Sequence, residues 1–293
     1  MKIKEIKRIN NQFYCDFSFL VLRDMRIVTS SYKRIRMKVY DSNFEYQYSI
    51  AGHTDHIITK CLLDNDDMVS ISHSDGIKIW EVGSKSSKCV FIIKKPHDSI
   101  IATMLLLSCN RFATCAEDNT IKIWKGDKPY SKIPIKLILR NDEENYFHSM
   151  IYFKEKEILI VQLKDCTLMM FSMITYQCVT VVKSEKANFF FQVDEDKVII
   201  NLYGQYKLFS VSKCEVIDSL PLINVNVMIK LKEELFICGC KEGKIYLFNM
   251  NTKEFTQLVQ NEDMKQINGM ILLNVNTFLS SSSNNTIQVW EIE

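Results

Sequence analysis

The sequence predicts an all-β protein, on three observations. A short strand ending in an aromatic residue recurs seven times. The stretches between its copies are short apolar runs separated by polar turns. With only 4 prolines in 293 residues, no apolar stripe at i, i+3, i+4 spacing runs far enough for a helix. The recurring strand is "RMKVY" ending at Tyr40, "GIKIW" at Trp80, "TIKIW" at Trp124, "TLMMF" at Phe171, "QYKLF" at Phe209, "KIYLF" at Phe248 and "TIQVW" at Trp290. Successive aromatics are 40, 44, 47, 38, 39 and 42 residues apart. A period of about 40 to 45 residues marks four-stranded sheets repeated around a central channel.

Each element of the unit follows in turn. Ahead of the aromatic strand lies a run rich in β-branched or small residues: "RIVTSS", "DMVSIS", "NRFATCA", "EILIVQL", "KVIINLY", "ELFICGC" and "NTFLSSS". Ahead of that lies a further strand, such as "HIITKCLL" or "IIATMLLL", joined by turns such as "DNDD" at 64–67 and "SCN" at 108–110. A fourth strand follows six of the aromatics: "FEYQYSI", "CVFIIKK", "IPIKLIL", "CVTVVKS", "EVIDSL" and "FTQLVQ". After Trp290 only Glu-Ile-Glu remains, while "KEIKRI" at 4–9 precedes the first unit with nothing else to pair with. Joining that strand to the last unit closes the ring and removes two exposed edges, and its basic residues suit an outer edge that must resist further pairing. The expected fold is therefore a seven-bladed β-propeller of four-stranded antiparallel blades, closed by the N-terminal strand. Residues 1–293 are expected to form this one domain, either free-standing or as a module of a longer protein.

The composition suits such a fold: 47% hydrophobic and 25% charged residues are ordinary for a globular chain. A net charge of +2, from 37 basic and 35 acidic residues, supplies no global attraction to nucleic acid or to an anionic membrane. Ten cysteines, including the close pair Cys238 and Cys240, lack CxxC or Cys/His spacing. They are expected to be small buried residues in a reducing, cytoplasmic or nuclear compartment, and no metal is expected. His73 and His148 have no partners at ligand spacing. The charged start "MKIKEIKRIN" lacks the apolar core of a leader, and apolar runs such as "IIATMLLLSC" are too short for a membrane span.

The second unit, "AGHTDHIITK...ISHSDGIKIW", the third, "KPHDSIIATM...CAEDNTIKIW", and to a lesser degree the seventh resemble the WD-repeat β-propeller family. Gly52-His53 keeps the family's Gly-His pair, three of the seven aromatics are tryptophan, and an aspartate follows the aromatic only at Asp41. The resemblance implies a structural tetrad of Asp, His, Ser or Thr, and Trp. Here it matches His97, Thr114, Asp118 and Trp124, with partial sets His53, Ser70, Trp80 and Ser280, Asn284, Trp290. In the second unit Asp75 stands one position late, with Ser74 in the place of Asp118. His97, Thr114 and Asp118 are also the residue types of a base, a hydroxyl nucleophile and an orienting acid. A nucleophile locked beneath a tryptophan has no route to substrate, so the scaffold reading is expected. The other blades are expected to rely on apolar packing.

The resemblance also implies that partners dock on one loop face. Superposing the units places His56, Ile100, Tyr146, Lys186, Asn224 and Gln266 near the starts of the inner strands. The turns before the aromatic strands carry Lys33, Arg34, Ser74, Glu117, Lys164, Glu242 and Asn284. This mixture of aromatic, basic and amide residues suits a protein surface better than a catalytic pocket. The expected function is a non-enzymatic scaffold for one or more proteins, itself monomeric, with no cofactor. Two other readings stand beside it. The run Lys33, Arg34, Arg36, Lys38 suits a phosphopeptide or a phosphoinositide head group. An enzyme at the channel mouth would need acids, bases or metal ligands converging from several blades. The acidic "NDEEN" at 141–145 is a solvated loop or a contact.

Overall fold

The computed structural model describes residues 1–10, 17–31, 35–139, 145–165, 167–182, 187–202, 204–259 and 265–293. Strand β1 (Ile3–Asn10) belongs to the last blade, described below. The first blade comprises β2 (Phe17–Val21), β3 (Ile27–Ser31), β4 (Arg36–Tyr40) and β5 (Tyr46–Ala51), and the second β6 (Ile57–Leu62), β7 (Met68–Ser72), β8 (Gly76–Val82) and β9 (Ser87–Ile93). The third holds β10 (Ile101–Leu107), β11 (Arg111–Ala116), β12 (Thr120–Lys125) and β13 (Lys136–Leu139), and the fourth β14 (Phe147–Phe153), β15 (Ile158–Leu163), β16 (Leu168–Ser172) and β17 (Cys178–Val182). The fifth contains β18 (Ala187–Gln192), β19 (Lys197–Leu202), β20 (Gln205–Ser210) and β21 (Glu215–Leu220). The sixth contains β22 (Val225–Lys232), β23 (Leu235–Cys240), β24 (Ile245–Asn249) and β25 (Phe255–Val259). The seventh combines β26 (Ile267–Asn274), β27 (Thr277–Ser282) and β28 (Thr286–Ile292) with β1. Among the described residues every strand pairing is antiparallel, and the one helical element is a 3-10 turn, Lys154–Lys156.

The second strand of a blade is apolar or small throughout because both of its faces are covered by neighbouring blades. All five residues of β7 are buried, as are the last five of β11, β15, β23 and β27. Outer strands alternate or are mostly exposed, as in β17 and β21. Among the described residues the core is divided among seven clusters, each joining consecutive blades, including one in which Ile27 of the first blade meets Leu279, Ile287 and Val289 of the seventh. The repeated aromatic is the wedge of this arrangement. Trp80 packs with the first blade, Trp124 with the second, Phe171 with the third and Trp290 with the sixth. Any large flat ring fills that wedge, and in the fourth, fifth and sixth blades, where Val161, Ile200 and Cys238 replace the hydroxyl that would accept an indole N–H, the ring is Phe.

The ring closes through β1 and β28. Ile3 pairs with Ile292, Glu5 with Trp290 and Asn10 with Thr286, with an irregularity between Glu5 and Lys7. Lys2 and Glu293 exchange backbone hydrogen bonds of 3.2 and 2.9 Å. Gln288 Nε2 donates to Glu5 at 2.7 Å, and Arg8 pairs with the same carboxylate at 2.7 Å. The hydrogen bond from Arg8 holds the Glu5 carboxyl below its ordinary range.

Candidate functional site on the loop face of the second and third blades

In the third blade Trp124 Nε1 donates to Thr114 Oγ1 at 2.9 Å, and Thr114 Oγ1 lies 2.7 Å from His97 Nε2. On its other side His97 Nδ1 lies 3.1 and 3.2 Å from the two Asp118 oxygens. A carboxylate only accepts, so Nδ1 carries the proton and Nε2 receives the Thr114 hydroxyl. Asp118 also accepts the Asp98 N–H at 2.8 Å, the Thr120 N–H at 3.0 Å and the Thr120 hydroxyl at 2.6 Å. Burial works to raise its pKa, but the bonds from His97 and Thr120 outweigh that and hold the carboxyl well below the usual range. Thr114 is wholly buried. The network ties the loop before β10 to the β11–β12 turn and to the centre of the blade.

The second blade has a full set of four. Trp80 Nε1 donates to Ser70 Oγ at 2.8 Å, Ser70 Oγ lies 2.7 Å from His53 Nε2, and His53 Nδ1 lies 2.8 Å from Asp75. Asp75, rather than Ser74, supplies the acid, so the set read as partial is completed by the residue one position late. The two turns are equally long, with Ile71 facing Ile77 as Cys115 faces Ile121. The left-handed residue, however, is Asn119 (φ 60°) in one and Gly76 (φ 89°) in the other, and this one-residue shift re-aims the turn's carboxylate. Gly76 is required there, because a Cβ would collide with the Ile93 carbonyl. In the seventh blade Trp290 Nε1 donates to Ser280 Oγ at 2.8 Å, and Asn284 accepts the Thr286 N–H and hydroxyl at 3.3 and 2.6 Å. Those are the two bonds that Asp118 makes to Thr120. In the fourth, fifth and sixth blades the hydroxyl position is taken by Val161, Ile200 and Cys238.

The loop face repeats one backbone hydrogen bond. The carbonyls of His56, Ile100, Tyr146, Asn224 and Gln266 accept the N–H of His73, Glu117, Lys164, Lys241 and Ser283 at 3.1, 3.0, 3.0, 2.9 and 2.8 Å. The five inner-strand candidates are thus equivalent in structure. The turn positions equivalent to Glu117 and Lys164 are His73, Lys241 and Ser283, each one residue ahead of Ser74, Glu242 and Asn284. Lys33, Arg34 and Lys186 lie outside the described residues, as do residues 141–144 of the acidic run.

Around this row the His56 and His73 rings meet edge to face at 6.4 Å, Asp55 accepts the Ser74 hydroxyl at 2.5 Å, and Lys164 Nζ sits 4.9 Å above the Tyr146 ring. Asn224 donates to Glu242 at 3.0 Å. Ile100 is 43% exposed. Between the β7–β8 turn, with His73, Ser74 and Gly76, and the chain from Lys95 to Ile101 runs an open groove of about 380 Å³. His97 lies in its floor.

Residues 87–125 match the family model of the WD domain, G-beta repeat. The matched segment takes in β9 and runs to the end of β12, and so contains the whole His97, Thr114, Asp118 and Trp124 network, within a ring of seven four-stranded blades. The chain is a seven-bladed β-propeller that carries a WD repeat in its third blade. A search of curated proteins found no match to it.

Elsewhere on the propeller, Arg36 is exposed and Lys38 half-buried, alternating along β4 with the buried Met37 and Val39. Among the described residues, no group of three or more His, Cys, Asp or Glu is placed to hold a metal ion, and no helix is long and apolar enough to cross a membrane. Two structural lysines escaped the sequence reading. Lys122 Nζ donates to the Pro96 carbonyl at 2.6 Å, and Lys78 binds the Gly52 carbonyl and, at 2.6 Å, Asp75. Their signal was the lysine two places before tryptophan in both "GIKIW" and "TIKIW".

Burial pushes the His53 pKa down to about 4, against the opposing hydrogen bond to Asp75. Its unfolded value is about 6.5, so its contribution is fully present above that pH and is lost as pH falls through the folded value. Denaturant titrations at pH 7 and pH 4 are expected to show a loss of about 3 kcal/mol from this group, with the loss reduced by that amount in His53→Gln. A wild type equally stable at both pH values contradicts the assignment.

Proposed function

We propose that this propeller is a non-enzymatic docking platform for partner proteins and that its principal contact is the groove between the second and third blades. The observation that carries this reading is the groove itself. Its two walls are turns fastened by complete four-residue networks, so the binding surface is held in shape before a partner arrives. Ile100, exposed at the lip, offers an apolar anchor, while Lys95, Asp98 and Ser99 surround it with polar groups, the composition of a protein contact. WD-repeat propellers generally bind proteins. The two arrangements among the described residues with the residue types of a nucleophile, base and orienter are both sealed, with Thr114 wholly buried beneath Trp124 and Ser70 wholly buried beneath Trp80. That favours binding over catalysis.

Affinity purification from the protein's own cells tests the reading. Wild type is compared with Ile100→Asp plus His73→Ala, and with Arg36→Glu plus Lys38→Glu, after all three are shown to unfold at the same temperature. A hot-spot loss of about 2 kcal/mol corresponds to roughly 30-fold weaker capture. It is expected for the groove variant alone. Partners lost only with the β4 variant transfer the site to the basic run, and partners lost with neither place it elsewhere on the ring.

A further inference from the structure

Register defines a ring of equivalent inner-strand positions, each facing the hydroxyl or apolar residue that lies two places beyond the partner of the repeated aromatic. In chain order they are Phe19, Lys60, Met104, Met150, Phe190, Met228 and Met270. Six are methionine or phenylalanine, and one is lysine. Lys60 is 6% exposed. It lies in a row with Ser70 and Lys78 on one face of the second blade. Its side chain reaches across to the first blade, where Nζ donates to the Ser18 carbonyl and, at 2.9 Å, to Ser30 Oγ.

The strands packed around β6, namely β2, β3, β7 and β10, contain no acidic or basic residue. On Lys60's own blade, Lys78 is paired to Asp75, His53 is engaged with Ser70 and Asp75, and the Cys61 thiol is pushed up to about 12 by burial. Lys60 thus forms no ion pair among the described residues. The hydrogen-bond inventory points the same way. A neutral amine has two N–H donors, matching the two oxygens across the joint, whereas an ammonium brings a third donor and an uncompensated charge into an apolar layer.

We propose that Lys60 makes the joint between the first and second blades responsive to protons, closed around the neutral amine and loosened when the ammonium forms. Burial alone, with no neighbouring charge to oppose it, pushes the Lys60 pKa down to about 7, which places the transition in the physiological range. An unfolded lysine binds its proton near 10.4. Stability is therefore lost as pH falls from that value toward neutrality and changes no further below it. This window lies above that of His53. Strand β6 begins at the residue after His56, so the joint connects directly to the loop face.

The test compares wild type with Lys60→Met, which restores the residue type of the ring, between pH 9 and pH 6. Differences between the two proteins cancel the titration of every other group. The Lys60→Met advantage in thermal midpoint is expected to widen from pH 9 to pH 7 and then stay constant. In wild type, hydrogen exchange in 17–31 and 57–62, corrected for intrinsic rate and referred to 225–274, is expected to accelerate by up to about tenfold per pH unit over the same interval. A lysine side-chain NMR resonance absent from Lys60→Met should titrate near neutrality. A gap in midpoint independent of pH, exchange that does not change, or a Lys60 resonance titrating with the surface lysines overturns the proposal. If Lys60→Met fails to fold, Lys60→Gln replaces it, and the titration in labelled wild type decides the question without either variant.

Discussion

Thr114→Val is expected to cost about 3 kcal/mol, although the side chain keeps its shape and the site is wholly buried. The hydroxyl is the junction of the third-blade network: it accepts from the Trp124 indole at 2.9 Å and faces His97 Nε2 at 2.7 Å. Valine leaves both nitrogens in place and unpaired, and an unsatisfied buried polar group costs about 1 to 3 kcal/mol. The loss propagates outward, because His97 then holds Asp118, and with it the Asp98 N–H of the groove wall, less firmly. Thr114→Ser keeps the hydroxyl and is expected to stay within about 1 kcal/mol of wild type. Urea titration of the three proteins measures this. Equal stability of wild type and the valine variant means that the network contributes nothing net. The fourth blade already carries Val161 at this position, and tolerates it because its aromatic is Phe171, which has no N–H to satisfy.

Deleting residues 1–10 is expected to have the largest effect of any change short of a core lesion. It removes the whole strand paired to β28, strips Ile3 from the joint between the sixth and seventh blades, and strips Ile9 from the joint between the seventh and first. Two partly buried isoleucines, each contributing less than the roughly 1.5 to 3 kcal/mol of full burial, with ladder hydrogen bonds at about 1 kcal/mol each, sum to on the order of 5 kcal/mol or more. That is comparable to the whole stability of a typical domain. Loss of a cooperative thermal transition, with aggregation through the bared β28 edge, is the expected result, and a peptide of residues 1–10 added in trans should partly restore the transition. A truncated chain that melts cooperatively at the wild-type temperature shows that closure is dispensable.

Much of this was legible in the chain. The aromatic that ends each third strand marks the blades because it is a local feature with a fixed period, and "KEIKRI" was recognisable as the closing strand because the last unit lacked one. His97, Thr114, Asp118 and Trp124 were recognisable through the resemblance of the third unit to the WD-repeat family. Asp75 was not placed, since counting residues cannot reveal that the left-handed turn position moves from the site of Asn119 to that of Gly76. The turn residues of the second, sixth and seventh blades were taken one place too far along for a related reason. Loop residues carry no periodic signal, and only the hydrogen bond each makes to the inner strand fixes its equivalence.

Lys60 shows the limit most clearly. In "HIITKCLL" it is one lysine in an apolar run, and nothing nearby in sequence distinguishes it from a solvated edge. Its character comes from Phe19, Met104, Met228 and Met270 at the same level of the ring and from Ser18 and Ser30, 42 and 30 residues away. The sequence by itself determined the number of blades, the strands within each and the means of closure, because those depend on local alternation and on a repeat. Only the tertiary structure decided which side chains face one another across a joint and where the groove opens. Such contacts join residues about one blade apart, and their pairing is set by the curvature and register of the closed ring rather than by any local preference.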